Sequence, residues 1–205
     1  MVKRGLALLL ALLLTGGMIA CGARDGYSFQ PGVREDNTYT SRFLALHLTL
    51  AADWSVYSDR QLARLAGLDS ADDEALRQQL EDGGAIYDLY ALRQTDNAFL
   101  YVSVQRAVLF DGVPAGEADY AAATVKGLPA ILAETGVIVR RIDRAAVPFA
   151  GESHAALTLE ASMPDGTALF ETMVLLRVGE YMVSVTAATF HRDDVGSLLE
   201  LFQVL

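Results

Sequence analysis

The sequence predicts an α+β fold in which a central antiparallel β-sheet carries helices on both faces. Four strand-like segments follow one another in the last third of the chain, separated by short turns, and two more flank a polar loop in the middle. Segments with the apolar spacing of a helix stand before, between and after these strands. Strands joined by tight turns pair antiparallel, so we expect one sheet with helices packed on it.

The first third of the chain predicts a strand followed by two helices. From Tyr39 to Leu50, leucines alternate with smaller or polar residues, which is the period of a strand. Ser58 with Gln61 three residues later has the pattern of a capping box, so a short helix begins here and ends at Gly67. A second, mostly polar helix is predicted from Ala71 to Asp82.

The middle of the chain predicts a β-hairpin. Ala85 to Arg93 and Phe99 to Arg106 are rich in branched and aromatic residues, and the polar residues between them form the turn. Residues alternate along a strand, so Tyr87 and Tyr90 are predicted to fall on opposite faces of the first of these strands and not to form one stacking platform.

A long helix, four strands and a closing helix complete the prediction. Glu117 to Glu134 has one apolar face, and Pro129 inside it predicts a kink or a break. Arg192 to Leu205 is predicted as a helix because its apolar residues, Phe202 among them, have helical spacing. The strands between these helices run from Val137 to Arg144, Ser153 to Met163, Ala168 to Val178 and Tyr181 to Thr189.

The charge of the chain limits its partners. Its 205 residues include 26 acidic and 16 basic ones, for a formal net charge of −10. This balance repels nucleic acid, which we therefore exclude as a partner. No repeat or second linker follows residue 36, so one domain is predicted over residues 37–205.

The N-terminus has the layout of a bacterial lipoprotein export signal. The basic pair Lys3-Arg4 precedes an apolar run from Leu6 to Leu14, and small residues lead up to Cys21, the only cysteine. This predicts a signal peptide over residues 1–20 and a lipid on Cys21 that attaches the protein to the outer side of a membrane. Residues 21–36, rich in glycine and charge, are predicted to form a tether. The alternative, an uncleaved anchor, needs about 20 apolar residues, and glycines interrupt this run earlier.

Residues for metal binding and nucleophilic catalysis are few and scattered. His47, His154 and His191 have neither a second histidine nor a cysteine at the spacing of metal ligands, so neither a metal site nor a cofactor is predicted. No motif for a serine or cysteine nucleophile is present. We therefore expect a protein that is not an enzyme.

Three pairs of acidic residues could support acid–base chemistry. Each pair stands at a predicted helix start, where carboxylates interact favourably with the helix dipole, and this structural role is the one we predict. The pairs are Asp72-Asp73, Glu117 with Asp119, and Asp193-Asp194.

An apolar stretch within a turn-rich segment is the candidate partner-binding site. It consists of Leu109, Phe110 and Val113, next to Val108. Large apolar residues exposed in a loop can mark a site for a partner. The alternative is a loop that Phe110 pins to the core.

Three segments of the chain resemble the PsbP-like superfamily, which includes bacterial envelope lipoproteins of the DcrB type. The first runs from Tyr39 through alternating leucines to Asp53-Trp54, the second is the central hairpin with its long helix, and the third runs from Gly151 to Phe202. The resemblance implies an α/β/α sandwich and a binding or accessory role, and it implies no reaction.

Together these observations predict a membrane-anchored, extracytoplasmic lipoprotein. Its domain is expected to act as a non-catalytic binding or accessory module for a protein partner or a small ligand. The alternative is an envelope hydrolase that uses paired carboxylates.

Overall fold

The computed structural model describes residues 29–110 and 113–205, and for residues 109, 110, 113 and 114 it describes the backbone alone. In chain order the elements are β1 (Val33–Glu35), β2 (Thr38–Ser41), β3 (Leu46–Thr49), β4 (Trp54–Val56), α1 (Asp59–Leu65), α2 (Asp73–Glu81), β5 (Ala85–Arg93), β6 (Phe99–Arg106), β7 (Leu109–Phe110), β8 (Val113–Pro114), α3 (Glu117–Glu134), β9 (Ile138–Phe149), β10 (Glu152–Ser162), β11 (Ala168–Val178), β12 (Tyr181–Phe190), α4 (Val195–Leu199) and β13 (Phe202–Val204).

A seven-stranded antiparallel sheet forms the centre of the domain, in the order β4-β5-β6-β12-β11-β10-β9. A four-stranded antiparallel sheet, β1-β2-β3-β13, covers part of one face. The predicted fold class is therefore confirmed: the domain is mixed α+β, with large antiparallel sheets and helices on both faces.

Two cores lie on the two faces of the large sheet. Leu48 and Phe202 of the small sheet and Leu198 of α4 pack on one face. Leu62 of α1 and Leu132 of α3 pack on the other. Apolar residues alternate sides along β6 and β12, so these central strands are buried on both faces and have few polar positions.

A β-bulge at Asp88 changes which residues of β5 share a face. The β5–β6 register shifts between Tyr87 and Leu89, which leaves Asp88 as an extra residue. Tyr87 and Tyr90 consequently lie in the same core, on the face of the large sheet that α1 and α3 cover. The prediction that they lie on opposite faces is wrong, because it assumed strict alternation.

The end of the chain forms a strand where a helix was predicted. Only Val195–Leu199 is helical, and Phe202–Val204 pairs with β3 as β13. The ring of Phe202 is buried against the core, and its backbone supplies partners to a strand that would otherwise be an edge. These long-range contacts outweigh the local helical spacing.

The strand predicted from Tyr39 to Leu50 is a hairpin of two strands, β2 and β3. The chain reverses between Ser41 and Leu46, where Ala45 has a φ of 53°. Each strand buries alternate residues, Tyr39 and Ser41 in β2 and Leu46 and Leu48 in β3, and the turn between them shifts the phase of the pattern by one residue.

Helix α3 has the predicted bounds and continues through Pro129 without a break. Leu128 and Leu132, on either side of the proline, are both buried against the sheet. Their packing keeps the helix continuous, although Pro129 has no backbone N–H to donate.

Part of the predicted tether belongs to the folded domain. Residues 33–35 form β1, and the ring of Phe29 packs edge-on against Phe43 at 5.2 Å. Within the tether predicted over residues 21–36, Phe29 and residues 33–35 are therefore parts of the folded domain. The signal peptide and Cys21 lie outside the described residues. Across the part of the chain that is described, no helix is long and apolar enough to cross a membrane.

Candidate functional site

A broad groove of about 660 Å³ runs between helix α3 and the edge of the large sheet. We call it the α3–β9 groove. Its lining is mostly small: four of the eleven residues that form it are alanines of α3 and β9, and β10 adds another. The lining residues are Ala118, Ala121, Val125, Ile142, Asp143, Arg144, Ala145, Ala146, Ser153, His154 and Ala155.

The register of the edge strand determines which side chains face the groove. Ile142 and Arg144 lie opposite Leu159 and Leu157 in the β9–β10 ladder. Both leucines belong to the cores on the α3 side. Directly opposed residues point to the same face, so Ile142 and Arg144 also point toward α3. The groove thus presents small apolar surface with one guanidinium group.

Strand β9 is an unprotected edge of the sheet. It is twelve residues long and pairs with β10 on one side, and no other strand of the described residues pairs with its outer side. By contrast, β4 at the opposite edge has only three residues. The outer backbone groups of β9 are therefore available for a further strand.

This edge strand is basic although the chain is acidic. It carries Arg140, Arg141, Arg144 and Asp143, so its formal charge is 3 − 1 = +2. Arg141 pairs with Asp143, and Arg140 donates to the Ser162 hydroxyl at 3.1 Å. No ion pair within the described ranges involves Arg140 or Arg144.

Glu117 bridges β10 and β11 where their pairing ends, beside the groove. The β10–β11 ladder ends at Ala156 and Val174. Past that point the Glu117 carboxylate accepts hydrogen bonds from the backbone N–H of Ala155 (3.1 Å) and of Arg177 (3.0 Å). The Nδ1 atom of His154 lies 3.0 Å from the same carboxylate. Glu117 therefore satisfies donors that the splayed strands leave unpaired.

A second carboxylate, Asp88, is fully buried and fastens the N-terminal segment to the sheet. It accepts hydrogen bonds from the Gly32 N–H (2.8 Å) and the Tyr39 hydroxyl (2.6 Å), and Arg34 lies against it. Burial raises the pKa of Asp88 although these three partners oppose that rise. Arg34 also reaches Asp59 at the start of α1, at 2.6 Å. The network ties β1, β2, β5 and α1 together.

A third carboxylate, Glu171 of β11, is buried on the face of the large sheet that α1 and α3 cover. Burial raises the pKa of its carboxyl to about 7. Its charge adds to burial in raising the pKa of both Tyr90 and Tyr101. The two tyrosine rings are stacked with their centroids 6.2 Å apart, in the core between the large sheet and helices α1 and α3. The arrangement suits an uncharged Glu171 at mildly acidic pH.

Each predicted acid pair stands at the start of a helix, as expected. Asp72 caps α2 by accepting a hydrogen bond from the Ala75 N–H at 2.8 Å, and Glu117 opens α3. Asp194 is the N-cap of α4. The three pairs stand at the starts of three different helices, and the hydrolase alternative stays a prediction.

The histidines have separate surroundings. His47 in β3 lies between Thr40 and Thr49, at 2.9 and 3.1 Å, and is half-buried. His191 is exposed in a turn with a φ of 73°. Among the described residues, no group of three or more His, Cys, Asp or Glu residues could hold a metal ion.

The predicted partner-binding stretch forms a small hairpin directly before α3. The backbones of Leu109 and Phe110 pair with those of Pro114 and Val113. The side chains of Leu109, Phe110 and Val113 lie outside what the structure describes, so their partner-binding role stays a prediction.

A smaller cleft of about 300 Å³ lies between the start of the described chain and helix α2. Phe29, Leu76 and Tyr181 line it, and Arg106 stands 3.7 Å from Glu180 beside it.

Sequence reasoning missed the α3–β9 groove. A signal for it was present: the stretch from Arg140 to Ala146 combines three arginines with two alanines, which is too polar and too small for a central strand. The groove also depends on the spacing between α3 and β9, which no local pattern encodes.

Comparison with known proteins gives likenesses of fold. No protein-family model and no curated protein matches the chain. The chain is similar to the solution structure of cyanobacterial PsbP from Synechocystis sp., at 12% identity and a TM-score of 0.43, covering 90% of this chain and 98% of that one. It is also similar to LpqN, involved in cell envelope biogenesis of Mycobacterium tuberculosis, at 14% identity and a TM-score of 0.36, covering 76% and 75% of the two chains. Both TM-scores are below 0.5, so these likenesses carry neither a superfamily nor a function over to the chain.

Proposed function

We propose that the protein is a non-catalytic module, tethered by a lipid on Cys21 to the outer side of a bacterial membrane, that binds a partner protein in the α3–β9 groove. The observation that carries this proposal is the groove of about 660 Å³ beside a twelve-residue strand whose outer edge is unpaired among the described residues. An open sheet edge next to a groove is a common site for an extended segment of another protein.

The form of the groove favours a protein over a small molecule. Sites for small molecules enclose most of the ligand surface. Here Ala118 on the helix and Ala146 on the strand are both exposed, so the groove is an open trough. A groove that is open along a strand leaves room for a segment of a partner protein that extends beyond both ends of the groove.

The membrane location rests on the export signal that ends at Cys21. Changing Cys21→Ser removes the thiol that would carry the lipid. We expect the wild-type chain in the membrane fraction and the variant in the soluble extracytoplasmic fraction. Equal membrane attachment of the two would contradict the lipid anchor.

Photocrosslinking in intact cells tests the groove as the binding site. A photoreactive amino acid is placed at Ala146, which is exposed and lines the groove, or at Ala130, which is exposed on α3 and does not line it. We expect a crosslinked protein from position 146 and none from position 130. No crosslink from position 146, or the same product from both positions, would count against the groove.

A further inference from the structure

We propose that the occupant of the α3–β9 groove is an extended, acidic segment of the partner protein, which adds to the large sheet as a strand beside β9. This inference rests on the proposed function and names the chemistry of the segment. It draws on the open edge, its charge and its register.

The regular part of the edge is long enough for a stable ladder. Within β9, Arg140 is a bulged residue, because Arg141 pairs with Glu160 while Val139 pairs with Ala161. From Arg141 onward the register is unbroken, and Pro148 is the first residue without a backbone donor. Seven residues therefore remain, which span about 23 Å at the rise of a strand.

The charge of this edge distinguishes between possible strands. A second copy of the chain would bring another β9 with a formal charge of +2 against the first, and like charges in one ladder repel. An acidic segment is attracted instead, because Arg140 and Arg144 have no ion pair within the described ranges. The same arginines thus disfavour self-association and favour an acidic partner.

The register also sets where an acidic residue of the partner would lie. Arg144 is the central residue of the seven regular ones, from Arg141 to Val147. A paired segment must therefore carry an acidic side chain at its centre, opposite Arg144. Side chains that point toward Ala146 and Ala155 meet small apolar surface, so aliphatic residues fit there.

Two capped heptapeptides test the proposal with the full chain as it is isolated from cells. One has a glutamate at its centre with three valines on each side, so that the glutamate would lie opposite Arg144, and the other has a lysine in place of that glutamate. We expect the glutamate peptide to bind, with an affinity that falls as salt is added, and the lysine peptide not to bind. The double variant Arg140→Glu with Arg144→Glu should weaken binding by about tenfold or more.

The matched control is the pair Arg60→Glu with Arg64→Glu. These arginines are exposed on α1 at the same four-residue spacing, so the control changes the charge equally at another place. The single variant Arg144→Glu keeps the Arg140–Ser162 hydrogen bond and serves if the double variant folds poorly. Equal weakening by both double variants, or equal binding of the two peptides, would overturn the proposal.

Hydrogen exchange separates strand addition from charge attraction alone. On binding of the glutamate peptide, amides of β9 should exchange more slowly, whereas those of central β12 should not change. Binding without protection of the β9 amides would contradict the proposed ladder.

The peptide and crosslinking experiments distinguish the two proposals. If neither peptide binds while position 146 still crosslinks to a protein, this inference fails and the proposed function stands. If crosslinking fails as well, both fail.

Discussion

Glu171 should make the stability of the domain depend on pH, in the direction opposite to that of most carboxylates. In the folded chain its pKa is raised from 4.5 to about 7, because burial penalises the charged form. Between these values the folded chain binds a proton that the unfolded chain has lost. The free energy of unfolding therefore falls as pH rises through this window. At 1.36 kcal/mol per pH unit, the loss amounts to about 3 kcal/mol above pH 7.

The substitution Glu171→Gln tests this reasoning. Glutamine has the shape of the protonated acid and does not titrate, so variant and wild type should be about equally stable near pH 4.5. By pH 8 the variant should be more stable by up to about 3 kcal/mol. Urea unfolding at several pH values measures the difference, with fluorescence of Trp54 as the probe, since this single tryptophan is buried.

The matched control is Glu160→Gln, on the neighbouring strand at an exposed position. Its stability difference from the wild type should stay constant across the same pH range. A constant difference for Glu171→Gln as well would refute the argument, because it would mean that the carboxyl at position 171 ionises equally in the folded and unfolded chain.

Two further substitutions test the contacts that close the fold. Asp88→Asn removes the charge that Tyr39 and Arg34 contact, and should lower the free energy of unfolding by about 2 to 4 kcal/mol, whereas Asp69→Asn at an exposed site should change it by less than about 0.5 kcal/mol. Phe202→Ala should cost about 3 to 5 kcal/mol because the ring is buried, while the same change at exposed Val204 should cost little; equal effects in urea unfolding would contradict the buried strand.

The sequence predicts the elements whose signals are local. Helix α3 has the predicted bounds because its cap, its apolar face and its stop are all within the segment. The β5–β6 hairpin has them as well, because two strongly β-forming segments flank one polar turn. The anchor at Asp88 escaped prediction, because it depends on a bulge and on partners about fifty residues away.

The same limit explains why the candidate site was not found from the sequence. The stretch predicted for partner binding was chosen for exposed apolar residues, whereas the groove is lined with alanine and a guanidinium group. Alanines are common in helices and strands. Those of α3 and β9 form a groove only because of the distance between the two elements, which the sequence does not show. The three arginines of β9 can be read from the sequence, but they indicate a binding site only when the strand is known to be at the edge of the sheet.

The order of strands separates the N-terminal segment of the domain from β9, the proposed binding edge. The N-terminal segment is held at β5 through Asp88, and β5 lies five strand positions away from β9. At about 4.8 Å per position this is about 24 Å across the sheet. Under the proposed function, the anchored segment and the binding edge would therefore lie on different sides of the sheet, so that attachment through the first and binding at the second do not compete for the same surface.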